Sequence, residues 1–291
     1  MPKALLLENI HPDAAQSLRD HGFEVECLKG ALSEDELIDA LEGVDLLGIR
    51  SKTSVTRKVI DARPTLTAVG CFCIGTNQVD LEYAGKNGIA VFNAPYSNTR
   101  SVVELVIGDI ICLMRRIPAH THHMKHGMWE VRGKTLGIIG YGNIGSQLSV
   151  VAEALGMRVL FYDIEEKLAM GNAHRCDTLN ELLEQSDVVT LHVDGRKSNT
   201  GFFGEDQFEH MKQDAIFINL SRGFVADLDA LKKHLDSGHL SGAAVDVFPI
   251  EPKKTGDEFL TDLADEDNMI LTPHIGGSTL EAQKSIGQFV S

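Results

Sequence analysis

Short apolar runs alternate with amphipathic stretches from the first residues onward. The runs 4–7, 24–28, 45–49, 66–73 and 89–92 predict strands, and the segments 12–21, 34–42 and 79–87 between them predict helices. A strand that must return through a helix before the next strand lies parallel to it, so this rhythm predicts a small α/β unit. Asn98-Thr99-Arg100-Ser101 then offers several capping side chains, and the helix it opens is expected to run to about Met124. Such a length suits a connecting element. A second series follows, with strands expected at 135–139, 159–162, 188–192, 215–219, 242–248 and 269–272, and helices beginning near Asn143, Thr178, Glu205 and Asp227. Six strands with helices on both faces predict a doubly wound sheet. A last helical stretch, 279–290, is expected to return to the first unit. The fold class is therefore α/β, two Rossmann-like parallel-sheet domains, divided into 1–98 completed by 277–291 and 99–276.

The most specific chemistry sits where the second series begins. The run Leu136-Gly137-Ile138-Ile139 leads into Gly140-Tyr141-Gly142-Asn143-Ile144-Gly145, and Asp163 closes the next apolar run. Strand, glycine turn, helix and strand is the pattern that seats a dinucleotide. The first glycine allows the tight turn, the second admits the pyrophosphate to the backbone, and the third lets helix pack on strand. The phosphates then meet a helix N-terminus. A carboxylate at Asp163 accepts hydrogen bonds from ribose hydroxyls and repels a 2'-phosphate, which predicts NAD over NADP.

Composition narrows the partners. The 291 residues are 43% hydrophobic and 24% charged, ordinary for a globular protein of about two domains. Lys and Arg number 27 against 42 Asp and Glu, a net charge of -15, which argues against nucleic acid. The apolar stretch around 102–114 is interrupted by Glu104 and Asp109 and is too short to span a bilayer, so no membrane segment is expected. Five cysteines without metal-type spacing follow a start, Met1-Pro2-Lys3, that lacks signal-peptide features; a cytoplasmic home is expected.

Three further features fall at ends of expected strands, where open α/β sheets bind ligands. They are Ser221-Arg222-Gly223, Pro249-Ile250-Glu251-Pro252 and Thr272-Pro273-His274-Ile275-Gly276-Gly277. Arg222 suits a substrate carboxylate with its planar fork, His274 suits a proton carrier, and Glu251 suits a partner that fixes the tautomer of that histidine. Taken singly, each has a bland alternative as a solvated loop residue. Other clusters carry less. His120, His122, His123 and His126 share helical spacing but have no acidic or cysteine neighbour to complete a metal site, and no metal is expected. Cys71 and Cys73, in an apolar run, suit a core better than redox chemistry. Glu34-Asp35-Glu36 and Asp265-Glu266-Asp267 suit a helix N-terminus and a solvated loop.

In order along the chain, the glycine turn, Asp163, Ser221-Arg222-Gly223, Ala244-Val245-Asp246-Val247-Phe248, Glu251-Pro252 and Thr272-Pro273-His274-Ile275-Gly276-Gly277-Ser278-Thr279 resemble the D-2-hydroxyacid dehydrogenases. Within that family, Gly70-Cys71-Phe72-Cys73-Ile74-Gly75-Thr76-Asn77-Gln78, Phe92-Asn93-Ala94-Pro95 and Asn98-Thr99-Arg100-Ser101 resemble its bacterial phosphoglycerate branch. The likeness covers essentially the whole chain. It implies NAD-dependent oxidation of 3-phospho-D-glycerate, with Arg222, Glu251 and His274 catalytic. Gly142, Asn143, Ile144, Gly145, Asp163, Leu220, Ser221, Arg222, Asp246, His274, Ile275, Gly276 and Gly277 would bind the cofactor, with Asp246 facing the nicotinamide amide. Arg50, Ser51, Gly75, Thr76 and Asn98 would join Arg222 and His274 around the substrate, with Lys52 adding charge and the domains closing over it. A homodimer through the long helix near Val103, or a higher homo-oligomer, is also implied. Alternatives left open are a hydroxypyruvate or glyoxylate reductase, and an NAD-sensing interaction protein of the same fold.

Departures from the family pattern are equally legible. The stretch between Trp129 and Arg132 is shorter than usual, Asp194 stands where the family has proline, and the relatives continue past the position of Ser291 into a regulatory ACT domain.

Overall fold

The computed structural model describes residues 1–118, 128–251, 261–264 and 266–291. His120, His122, His123, His126, Pro252 and Asp265 lie outside the described residues. The chain divides into two compact units, Met1–Asn98 with Gly277–Ser291, and Thr99–Gly276.

The first unit is a five-stranded parallel sheet in the order β2-β1-β3-β4-β5, built from Lys3–Leu6, Glu24–Cys27, Leu46–Ile49, Ala68–Cys71 and Ala90–Asn93 as β1 to β5. Helices α1 (Pro12–Asp20) and α10 (Leu280–Val290) lie against one another, α2 (Glu34–Ala40), α3 (Arg57–Ala62) and α4 (Leu81–Lys86) complete the unit, and separate apolar clusters form around Leu6, Leu18 and Ile286 and around Leu5, Leu47 and Val59. Helix α3 escapes the hydrophobic pattern because it is one and a half turns long; Thr56 caps it by accepting the Val59 N–H.

The second unit is a seven-stranded parallel sheet, where the pattern predicted six, in the order β12-β11-β10-β9-β6-β7-β8. Its strands are β6 (Thr135–Ile139), β7 (Arg158–Tyr162), β8 (His174–Arg175), β9 (Val188–Leu191), β10 (Ala215–Asn219), β11 (Leu240–Val245) and β12 (Met269–Leu271). The extra strand, β8, is two exposed polar residues at the sheet edge, and so short a strand carries no hydrophobic period. Helices α6 (Asn143–Ala154), α7 (Leu179–Gln185), α8 (Glu205–Glu209) and α9 (Leu228–Asp236) start where the sequence predicts. Thr178 and Asp227 cap α7 and α9.

Helix α5 (Thr99–Met114) begins as expected but stops ten residues short of Met124. Arg116 takes the left-handed φ of 50°, its N–H reaches the Leu113 carbonyl, and the Ile117 N–H reaches back to Cys112. That is a Schellman stop, built on an arginine where glycine is the usual sign. No helix among the described residues is long and apolar enough to cross a membrane.

Candidate active site

Because every pairing in the second sheet is parallel, the loops leaving β6, β9, β10, β11 and β12 share one edge. The strand order reverses between β6 and β9, and the glycine turn leaves β6 at that switch point, the place where such sheets bind ligands. Each glycine has its own reason. Gly140 adopts φ +91°, and a side chain there would strike the His192 backbone. A Cβ on Gly142 would meet nothing within 4 Å, which leaves space for a group lying on the backbone. A Cβ on Gly145 would collide with the Gly140 carbonyl, so its absence sets the helix-to-strand approach. No side chain caps the N-terminus of α6, and its first amides remain available to an anion. At the end of β7, Asp163 accepts the Tyr141 N–H at 2.7 Å and the Glu165 N–H at 2.9 Å. Its remaining lone pairs suit ribose hydroxyls. These features fit a dinucleotide.

The loop after β10 is organised by a residue that belongs to no motif. Asn219 is fully buried, accepts the Ser221 N–H at 3.0 Å and its Oγ at 2.7 Å, and donates to the Arg222 carbonyl at 3.2 Å. A polar side chain closing the apolar strand Ala215–Asn219 was the available signal. Arg222 Nη1 donates to the Ser221 carbonyl at 2.7 Å. Leu220 and Ser221 are buried beside it. Gly223 is glycine because a Cβ there would overlap the backbone carbonyl of Phe248. That contact ties the loop bearing Arg222 to the loop bearing Glu251.

After β11 and β12 come the other two groups. His274 Nδ1 lies 2.8 Å from Glu251 Oε2, and Glu251 Oε1 accepts the Phe248 N–H at 3.2 Å. Burial alone would raise the Glu251 carboxyl, but the His274 hydrogen bond and charge, then Phe248 and Arg222, hold it below its ordinary value. An ionised Glu251 accepts from Nδ1–H, which leaves Nε2 of His274 as the atom free to exchange a proton. His274 has a left-handed φ of 56°, uncommon outside glycine and best tolerated by Asn, Asp and His.

That conformation is held by Asp246, 2% exposed, which accepts from Thr272 Oγ1 at 2.6 Å, Ile275 N at 2.8 Å and Gly276 N at 2.8 Å. Thr272, which opens the motif around His274 but has no role in it from sequence alone, is a second supporting residue. Nearby on α5, Asp109 is buried, and desolvation with the charge of Asp246 raises its carboxyl to about 7. After β9, Asp194 closes a turn with its side chain. Its carboxylate receives Arg196 N at 3.2 Å, Nε at 2.7 Å and Nη2 at 2.5 Å, while Asn199 donates to its carbonyl at 3.0 Å. Next to it, a Cβ on Gly195 would lie 3.4 Å from Arg222 Nε.

Arg222, Glu251 and His274 therefore share the edge that carries the glycine turn and Asp163. Arg50, Ser51, Gly75, Thr76, Asn98 and Gly277 belong to the first unit. There, Arg50 follows β3, Gly75 and Thr76 follow β4, and the Asn98 amide occupies the space that a side chain on Gly277 would need. Among the described residues, no group of three or more His, Cys, Asp or Glu is arranged to hold a metal ion.

The family model for the D-isomer-specific 2-hydroxyacid dehydrogenase NAD-binding domain matches residues 107–276. D-3-phosphoglycerate dehydrogenase of Haemophilus influenzae is 52% identical over 98% of this chain and 72% of its own length. The chain belongs to the D-isomer-specific 2-hydroxyacid dehydrogenases. It is an NAD-dependent oxidoreductase. Escherichia coli K12 D-3-phosphoglycerate dehydrogenase is 51% identical over the same shares. Among solved structures, a D-lactate dehydrogenase from Aquifex aeolicus, complexed with NAD and lactic acid, superposes with a TM-score of 0.83 at 28% identity, covering 98% of this chain and 92% of that one. The TT0316 protein of Thermus thermophilus gives a TM-score of 0.87 at 29% identity, covering 98% and 93%.

Two predictions arise from this edge. If Asp163 discriminates by charge, Asp163→Ala raises kcat/KM with NADP about tenfold and lowers it with NAD, in steady-state assays with each cofactor. The second concerns His192, whose ring is desolvated and held at about 3, with Nδ1 buried and unpartnered. An unfolded chain takes up that proton near its ordinary value of about 6.5. Stability from neutral His192 is thus complete above about pH 6.5 and lost as pH falls toward about 3. Melting curves are expected to show a steeper fall in Tm between about pH 7 and pH 5 for the native chain than for His192→Gln.

Proposed function

We propose that this chain oxidises 3-phospho-D-glycerate at C2 to 3-phosphohydroxypyruvate. The observation that carries the reading is the His274–Glu251 pair at 2.8 Å, on the same edge as Arg222 and the dinucleotide turn. The names of the relatives support the choice of substrate.

The nicotinamide cofactor, when bound, would supply the hydride acceptor for oxidation as NAD and the hydride donor for reduction as NADH. Gly142, Asn143, Ile144, Gly145, Asp163, Leu220, Ser221, Arg222, Asp246, His274, Ile275, Gly276 and Gly277 hold the cofactor in this proposal. His274 Nε2 takes the C2 hydroxyl proton in oxidation and returns it in reduction, while Glu251 accepts from the other ring nitrogen and fixes the tautomer. Arg222 binds the substrate carboxylate and polarises the C2 oxygen with its planar fork. Arg50, Ser51 and Asn98 donate to the phosphate, and the backbone near Gly75 and Thr76 donates to the carboxylate. We take the enzyme to act in the cytoplasm as a homodimer or higher homo-oligomer, a state that sedimentation analysis reads directly.

The test is a comparison of kcat/KM, in the reducing direction, for 3-phosphohydroxypyruvate, hydroxypyruvate and glyoxylate. A clear preference for the phosphorylated acid is expected. Equal or better use of the unphosphorylated acids would instead make the chain a general hydroxyacid dehydrogenase.

A further inference from the structure

In the first unit, the loop after β3 carries Arg50, Ser51 and Lys52, and side chains from two other loops hold its backbone. Glu8, 8% exposed, lies just beyond β1. Its Oε2 accepts the Lys52 N–H at 3.0 Å and its Oε1 accepts the Thr53 N–H at 2.8 Å. The Glu8 carbonyl accepts Arg50 Nη1 at 3.5 Å. From the other side, Gln78 Nε2 donates to the Arg50 carbonyl at 2.7 Å and to Cys73 Sγ at 3.3 Å, and the Cys73 thiol donates to the Gly75 carbonyl at 3.1 Å. Hydrogen bonds from amides to a buried carboxylate are short and stiff, and each oxygen of Glu8 is committed to one. Glu8 also keeps a left-handed φ of 60°, a conformation a non-glycine residue retains only where its surroundings over-determine it. The two struts thus converge on one cationic loop and, through Cys73, tie it to the loop of Gly75 and Thr76.

We propose that Glu8 and Gln78 are positioning residues that set the preference for a phosphorylated substrate by fixing the backbone from which Arg50 and Ser51 project. The proposal rests on the assignment of Arg50 and Ser51 to the phosphate. It separates geometry from charge. Removing the negative charge of Glu8 from beside a cationic loop would, by Coulomb attraction alone, tighten the binding of an anion. Loss of the struts has the opposite sign, because small misplacements of binding groups lower the efficiency of the reaction they serve.

The experiment uses the whole chain with NADH and measures KM for 3-phosphohydroxypyruvate and for hydroxypyruvate in the native protein, Glu8→Gln, Gln78→Leu and Arg50→Ala. Glu8→Gln is expected to raise KM for the phosphorylated acid about tenfold, with hydroxypyruvate within about twofold and NADH affinity unchanged. Gln78→Leu is expected to raise both KM values, the phosphorylated acid the more, since its strut also reaches the loop of Gly75. It carries the test alone if Glu8→Gln does not fold. An unchanged or lower KM for the phosphorylated acid, or an equal change for both acids in Glu8→Gln, overturns the positioning role. If Arg50→Ala abolishes the preference while both strut variants keep it, only the positioning role fails. If Arg50→Ala keeps the preference, the phosphate assignment fails and the proposal falls with it.

Discussion

Replacing His274 with alanine is expected to lower kcat by about a hundred to ten thousand fold, the usual contribution of a positioned acid-base group, while the Kd for NADH stays within about twofold. The loss falls on turnover because the imidazole acts on the proton of the reacting hydroxyl, whereas the cofactor rests mainly on the glycine turn and Asp163. A defect in folding would look different. His274 sits at φ 56°, which asparagine tolerates as histidine does, so His274→Asn keeps the loop geometry and removes only the proton carrier. It should match the alanine variant in rate and the native chain in Tm. Near-normal turnover in either variant would remove His274 from the chemistry. Initial rates, a fluorescence titration with NADH and a melting curve together make the distinction.

Arg222→Ala is expected to lower kcat/KM by about a hundred to a thousand fold, the scale of losing one donor aimed at a developing oxyanion. Both parameters should move. KM rises with loss of the carboxylate fork, and kcat falls with loss of the donor to the C2 oxygen. Arg222→Lys should recover little, since a single ammonium cannot reproduce two parallel N–H bonds from a planar group. The surrounding structure is built around this side chain: Asn219 fixes the loop, Gly195 leaves room beside Nε, and Gly223 lets the loop meet Phe248. Steady-state kinetics that leave both constants unchanged in Arg222→Ala would place the arginine outside the site.

The parts of this molecule legible in its sequence are those governed by local periodicity or by a single steric demand. Alternating apolar runs located most of the strands, and the three glycines of the turn each answer one constraint that a reader can name in advance. What escaped was short or non-local. Strand β8 is two polar residues, α3 spans Arg57–Ala62, and α5 stops at a left-handed Arg116 that gives no glycine signal. In the site, the pairing of His274 with Glu251 across 23 positions is a property of two adjacent strand ends; the residue types suggest it, and sequence spacing alone does not fix it. Supporting side chains were harder still. Asn219 and Glu8 belong to no motif, Thr272 and Gln78 stand at the ends of motifs that give them no role, and the roles of all four arise from hydrogen bonds to loops that the fold brings beside them.

The most direct measurement is NADH formation, followed by absorbance, when the purified chain meets NAD and 3-phospho-D-glycerate, with NADP and the His274→Asn variant run in parallel. Steady NADH production by the native chain is expected, with little from NADP and almost none from the variant. Tight NAD binding without NADH production from this or any other D-2-hydroxyacid would contradict the proposed oxidation.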